Sequence, residues 1–209
     1  REGKSTEAEN VFAEAATWIE ANRGERFFTY IQTIDPHVPY DPPAEYLRRY
    51  DARTDYAGQV QPRMTPDLLV GAKRNPPTVV FDESDRRRLD ALHDGEITQH
   101  DHFFGRFLAK LEELGLTEDT LVVVVSDHGE EFNDHGSYGH GHSVYQELLH
   151  VPLMFRLPGR IPANVRIPHA VSTLNIPATV TEFLGVPAMG TQEGYSLANM
   201  MLGVNAPGP

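Results

Sequence analysis

The 209-residue sequence contains no cysteine. That excludes a disulfide, a Cys-ligated metal and a thiol nucleophile from these residues. Long hydrophobic runs are missing as well, so no stretch is apolar enough to span a bilayer as a helix. Positive charge is scarce: 18 Lys and Arg stand against 30 Asp and Glu, for a formal net charge of -12. Binding to a phosphate backbone needs clustered Lys and Arg, so nucleic acid is not expected as a partner. The chain has neither an initiating Met nor a signal-peptide pattern, which is expected of a processed or partial polypeptide. No internal repeat and no separating linker is visible, so a single domain over residues 1–209 is expected.

Histidine is what the sequence has in quantity, and five of the ten fall between Ser126 and Pro152. They are His128, His135, His140, His142 and His150, mixed with Asp127, Glu130, Glu131, Asp134 and Glu147 and punctuated by four glycines. Immediately before them runs Leu121-Val122-Val123-Val124-Val125, the pattern of a strand buried on both faces. Asp127 and His128 therefore stand where a strand opens into a Gly-rich loop. Open α/β sheets place their chemistry beyond the carboxyl ends of strands. A carboxylate beside an imidazole there is a pair of metal ligands; the same pair also fits a turn with a helix cap. Glu130, Glu131 and Asp134 are further possible ligands. A zinc site made from the histidines alone fits less well, because the spacings do not match compact His-x3–5-His patterns apart from His135 and His140, which a Gly loop separates.

Upstream, Val11, Phe12, Ala15, Ala16 and Ile19 predict a helix opened by a Thr6–Glu9 capping box and closed near Gly24. Residues 27–34 predict a strand that ends at Asp35-Pro36-His37-Val38-Pro39. The prolines stiffen the loop around His37. That suits a ligand-facing histidine and equally a surface loop whose histidine bonds locally. Residues 44–83, rich in proline and holding five of the fifteen arginines, are expected as a long loop or insert with short helical turns, its basic side chains solvated or else facing an anionic substrate. Ser84 or Asp85 should cap a long helix running to Leu114 with Gly115 beyond it. His100, Asp101 and His102 lie on that helix, where neighbours diverge by ~100° and cannot share a ligand easily, so they are expected to be structural. A strand over 151–157 and a helix capped by Asn175 and ended by Gly185 follow. Residues 190–202 should return to the body, and the final Pro-Gly-Pro should be disordered.

The motifs together carry a resemblance. Residues 27–43 end in Asp-Pro-His-x-Pro-Tyr-x-Pro-Pro. Asp94-Gly95-Glu96-Ile97, Ser126-Asp127-His128-Gly129-Glu130, His135-Gly136 to Gly141, Val151-Pro152-Leu153 and Ile176-Pro177-Ala178-Thr179-Val180 follow in order. This succession resembles the C-terminal part of the catalytic domain of sulfatases, in the alkaline phosphatase superfamily. The resemblance implies an α/β fold: a three-layer sandwich with a central, mostly parallel sheet flanked by helices, present here as a partial domain. It also implies a metal-dependent sulfuric ester hydrolase, with Asp127 and His128 as ligands of a divalent cation, Ca2+ foremost and Mn2+ or Zn2+ as alternatives. His37 matches the histidine that contacts the sulfate or its leaving oxygen. His140 stands where many members have a sulfate-holding Lys, with His142 the close alternative.

The resemblance further implies pieces that these residues lack. Sulfatases carry an upstream Cys or Ser in a Cys-x-Pro-x-Arg type motif, converted to formylglycine, and two more acidic ligands. None of the seven serines here stands in such a context. The piece alone is therefore expected to be inactive. An anionic sulfate or phosphate ester is the expected substrate partner, and a periplasmic or extracellular location is plausible for the family. Two alternatives stay open: a phosphodiesterase, phosphonate hydrolase or phosphoethanolamine transferase of the same superfamily, or a non-catalytic binding module.

Overall fold

The computed structural model describes residues 7–187 and 190–203. Thr6 and the terminal Pro-Gly-Pro, to which a cap and disorder were assigned above, lie outside the described residues. The chain divides into two compact units: Arg1–Leu114 with Ser126–Val151, and Gly115–Val125 with Pro152–Pro209.

The first unit is built on a long helix and the loops it carries. Helix α1, Ala8–Asn22, buries Ala8, Phe12 and Ile19, the side predicted by its apolar spacing. Its N-cap residue, Glu7, makes no side-chain cap bond. The first N–H, on Ala8, instead donates to Asp35 Oδ2 at 2.6 Å, satisfying a helix-end donor from a distant loop. Residues 27–34 keep strand-like alternation, with Phe28 and Tyr30 each 79% exposed, but they join no ladder among the described residues. The predicted strand is thus an extended segment. Alternation is a local property, whereas a strand needs a hydrogen-bonded neighbour.

Helices α2, Ala44–Leu47, and α3, Thr65–Ala72, are short helices within the stretch expected as a long loop with helical turns. That stretch contributes Leu47, Val60, Leu69 and Phe81 to a core shared with Tyr40, Leu89, Ala91, Leu92 and Tyr138. Its arginines are exposed, as expected, yet one of them reaches a buried acid that an arginine beyond the stretch also meets. Arg53 and Arg88 both bond Asp51, which is buried, and their guanidinium groups lie 5.2 and 5.1 Å from the Tyr56 ring. Helix α4, Glu83–Glu113, starts at Asp82, whose side chain accepts the Asp85 N–H at 2.8 Å. The cap thus sits two to three residues before the expected one. On α4, His100 bonds Thr33 Oγ1 and packs on Phe12, while His102 packs on Tyr46 and Phe103.

In the second unit, β1 (Val122–Val125) pairs antiparallel with the later strand Leu153–Arg156, with Val122 opposite Arg156 and Val125 opposite Leu153. The valine run is half-buried rather than sealed on both faces, and Val125 is 43% exposed. One ladder neighbour covers less of it than the central position predicted from composition. The helix Asn175–Leu184 ends on Gly185 at φ 63°, the left-handed conformation that favours glycine there. Its N-cap is Leu174, not Asn175. Asn175 is buried, and its Oδ1 accepts the Tyr195 N–H at 3.2 Å, while Thr179 Oγ1 accepts that of Leu197 at 2.9 Å. Those bonds dock the returning tail, and Leu197, Ala198 and Met201 complete a core with Leu157 and Phe183.

Candidate active site

The residues singled out by sequence all belong to the first unit, and a small hairpin carries several of them. Strands β2 (Glu131–Phe132) and β3 (Tyr138–Gly139) pair antiparallel, with Glu131 opposite Gly139. Asn133, Gly136, Gly139 and Gly141 all hold positive φ, which lets the hairpin turn tightly and send its exit past its entry. Continuing the register by one step puts Glu130 opposite His140. The two are bonded, His140 Nδ1 to Glu130 Oε1 at 3.0 Å.

Three of the candidate rings come together. His140 has its centroid 5.2 Å from that of His37 and 4.1 Å from that of His128. Each ring has its Nδ1 against an oxygen. His37 bonds the Val38 carbonyl at 2.7 Å, His128 the Gly129 carbonyl at 2.8 Å, and His140 the Glu130 carboxylate. Since a carbonyl only accepts, Nδ1 of His37 and of His128 carries the proton, and their Nε2 atoms are left for a ligand or substrate.

Asp127 is placed by chain geometry rather than packing. Its side chain is 80% exposed, its Oδ1 accepts the His128 N–H at 3.0 Å, and the same oxygen lies 3.9 Å from His128 Nε2. A carboxylate oxygen and an imidazole nitrogen that close suit two positions around one cation, and the donor types suit a divalent ion. Gly129 fixes this pair. A Cβ there would sit 1.9 Å from the Glu147 carbonyl oxygen, and its N–H donates to the Leu148 carbonyl at 2.9 Å.

His142 does not join the three rings and instead serves Glu131. Its Nε2 meets Glu131 Oε2 at 2.7 Å, while Glu131 Oε1 accepts the N–H groups of His135 and Ser137. Burial raises the Glu131 carboxyl, but these donors outweigh it and the group ends below its ordinary value. Among the described residues, only Glu131, His135 and Glu147 bring three metal-binding atoms within 4.8 Å of one another. Those atoms are already bonded, His135 Nδ1 to Glu147 Oε1 at 2.6 Å and Glu131 as above. Asp134, the other possible ligand, accepts the Phe132 N–H.

Two supporting residues escaped the sequence reading. Tyr40, fully buried three residues after His37, donates its hydroxyl to Glu130 Oε2 at 3.0 Å. Burial, and then the Glu130 charge, push its phenol far above the usual range. Glu96, buried on α4, accepts the Asp41 N–H at 2.6 Å and so holds the far end of the His37 loop. Burial, helped by Asp35, Asp41 and Glu7, pushes its carboxyl up to about 7. The Asp94-Gly95-Glu96-Ile97 motif was the available signal, and Gly95 explains part of it. A Cβ there would lie 2.9 Å from the Pro42 ring.

Comparison with known proteins bears on the fold and the family. A phosphonate monoester hydrolase from Silicibacter pomeroyi superposes with a TM-score of 0.71 at 27% identity, covering 96% of this chain and 43% of that one. The chain thus has, in part, the alkaline phosphatase-like α/β fold expected, although both strand pairs among the described residues are antiparallel. A sulfatase family model matches residues 2–186, and the chain belongs to the sulfatase family. Mouse arylsulfatase K is 30% identical over 126 residues, 60% of this chain and 22% of that protein. The multifunctional alkaline phosphatase superfamily protein PehA of Trinickia caryophylli is 28% identical over 203 residues, 88% of this chain and 39% of its own. The chain therefore spans between about a fifth and two-fifths of the length of these curated relatives.

Proposed function

We propose that these residues form part of a metal-dependent sulfuric ester hydrolase and supply its leaving-group side. The observation that carries the reading is the meeting of His37, His128 and His140 beside Asp127, in a chain of the sulfatase family. Asp127 and His128 would hold a divalent cation, Ca2+ in the first instance, which when bound polarises ester oxygens. His37, its Nδ1–H tied to a carbonyl, would present Nε2 to the leaving alcohol and, as the imidazolium, protonate it from that nitrogen. His140, its Nδ1–H held by Glu130, would take a second proton at Nε2 and offer that N–H to an anionic oxygen of the ester, where charge develops. The nucleophile, a formylglycine by family pattern, and the remaining ligands would come from polypeptide beyond these 209 residues, and the piece alone would not turn over.

A second reading within the superfamily draws support from the phosphonate monoester hydrolase likeness, which extends over 96% of the chain. The two separate in one assay. The natural polypeptide containing these residues is offered an aryl sulfate and an aryl phosphodiester, with and without chelator. Faster metal-dependent turnover of the sulfate supports the first reading, and the reverse preference supports the second. Asp127→Ala and His37→Ala should each lower turnover by at least ~100-fold, in line with loss of a metal ligand or general acid. Near-native activity in either variant removes that residue from the site.

A further inference from the structure

We infer that Glu130 is a positioning residue: its carboxylate joins the His37 loop, through Tyr40, to the His140 ring and sets which nitrogen of His140 faces the substrate. The inference rests on the reading of His140 as an ester contact. Three observations carry it. Both Glu130 oxygens are engaged, Oε2 by the Tyr40 hydroxyl and Oε1 by His140 Nδ1, each at 3.0 Å. The side chain is 10% exposed, whereas Asp127, three residues earlier, is 80% exposed. A buried acceptor with two donors aimed at it has one low-energy arrangement, so it orients what it touches. Finally, Gly139 holds φ at 78°, where an L side chain is strained, and so shapes the turn that carries His140 back to Glu130.

The chemistry follows from acceptor and donor counts. An ionised carboxylate only accepts, so His140 Nδ1 must carry a proton toward it. That leaves Nε2 of His140 on the side of His37 and His128. Without the carboxylate, either nitrogen could carry the proton and the ring could rotate. Because Tyr40 lies in the His37 loop and His140 on the hairpin, one carboxylate also holds the two loops in register. Glu130 touches no reacting atom in this account; it acts through His140.

The test uses two variants and two readouts. Glu130→Ala removes the acceptor. Glu130→Gln keeps both hydrogen bonds without charge, its oxygen accepting from His140 and its amide donating to the Tyr40 oxygen. In the 15N-labelled chain at fixed pH, the wild type should show His140 protonated at Nδ1. Alanine should mix the tautomers, and glutamine should restore the wild-type pattern. In the natural polypeptide, Glu130→Ala should lower kcat by about 10- to 100-fold with metal affinity changed less than about threefold, and Glu130→Gln should recover most of the loss. Unchanged His140 nitrogen shifts in Glu130→Ala, or a folded glutamine variant as impaired as alanine, would overturn the inference. If the alanine variant does not fold, the glutamine variant and Tyr40→Phe still decide it: Tyr40→Phe should leave the tautomer in place and cost only a few-fold in kcat. His140→Ala at full activity sinks the ester-contact reading instead, and the nitrogen shifts read the Glu130–His140 link without reference to turnover.

Discussion

Replacing Glu96 with glutamine should make the chain more stable at pH 8 and leave it nearly unchanged at pH 4. Glu96 is 5% exposed, and its carboxyl is pushed from 4.5 up to about 7, first by burial and then by the neighbouring acids. Below the unfolded value both states hold the proton, and no penalty exists. Between about 4.5 and 7 the unfolded chain releases the proton while the native one keeps it, so stability falls as pH rises. Above 7 the native state carries the full cost of the buried charge. At 1.36 kcal/mol per pKa unit the displacement corresponds to about 3 kcal/mol. Glutamine is neutral throughout, and its oxygen can still accept the Asp41 N–H.

Trp18 on α1 lies in the same unit and is the sole tryptophan, so its fluorescence follows that unit's unfolding. With a urea slope of about 2 kcal/mol per molar, the midpoint of Glu96→Gln should exceed that of wild type by about 1.5 M at pH 8 and converge with it at pH 4. Comparing the two proteins cancels the titration of the histidines and the repulsion within an acidic chain. Equal midpoints at pH 8, or a difference that does not narrow on acidification, would refute the assignment of a charge-averse site to Glu96.

Other outcomes follow from particular contacts. Asp51→Ala strands Arg88, which is 12% exposed and whose Nε already lacks a partner, and should cost about 3–5 kcal/mol by urea unfolding. Because Arg53 holds the Asp51 carboxyl well below the usual range, the stability it gives is present at neutral pH and should fade in wild type as pH drops through the acid range. Gly129→Ala drives a Cβ into the Glu147 carbonyl and should destabilise by about 1–3 kcal/mol, with loss of metal binding by calorimetry. Leu89→Ala opens the core of the first unit and should cost about 2–5 kcal/mol with metal binding retained.

The elements most legible from sequence are those whose signal is local and repeated. Helix α4 follows from its apolar stripe, and only its start was misjudged, because Asp82, Ser84 and Asp85 are all capping types and just one can act. The Asn175 assignment failed for a related reason: a side chain suited to capping a helix is equally suited to catching a distant backbone N–H, here that of Tyr195. Residues 27–34 show alternation, but a ladder depends on a partner that alternation cannot supply. Residues 44–83 hide core positions, since Val60 stands alone among polar groups and Leu69 and Phe81 sit in apolar triplets too short to show a period. For the site, the Asp127-His128 pair was readable as ligand chemistry at a strand exit. The approach of His37 to His140 came only from the family resemblance, because nothing in either loop encodes the other.

The hairpin explains why so many histidines and acids crowd one stretch while only some face the candidate site. Side chains alternate across a strand, so neighbours diverge and cross-strand partners meet. Glu130 and His140 form one such pair, whose ring joins His37 and His128. Glu131, one step along, reaches instead to His142 and to the N–H groups that close the turn, with no exposed surface of its own. Two chemically alike acid–imidazole pairs thus receive different work from a period of two: one orients a ring in the site, the other holds the turn that carries it. A one-residue slip in this register would exchange those surroundings. Asn133, Gly136, Gly139 and Gly141, each at positive φ, fix the turn geometry that prevents it.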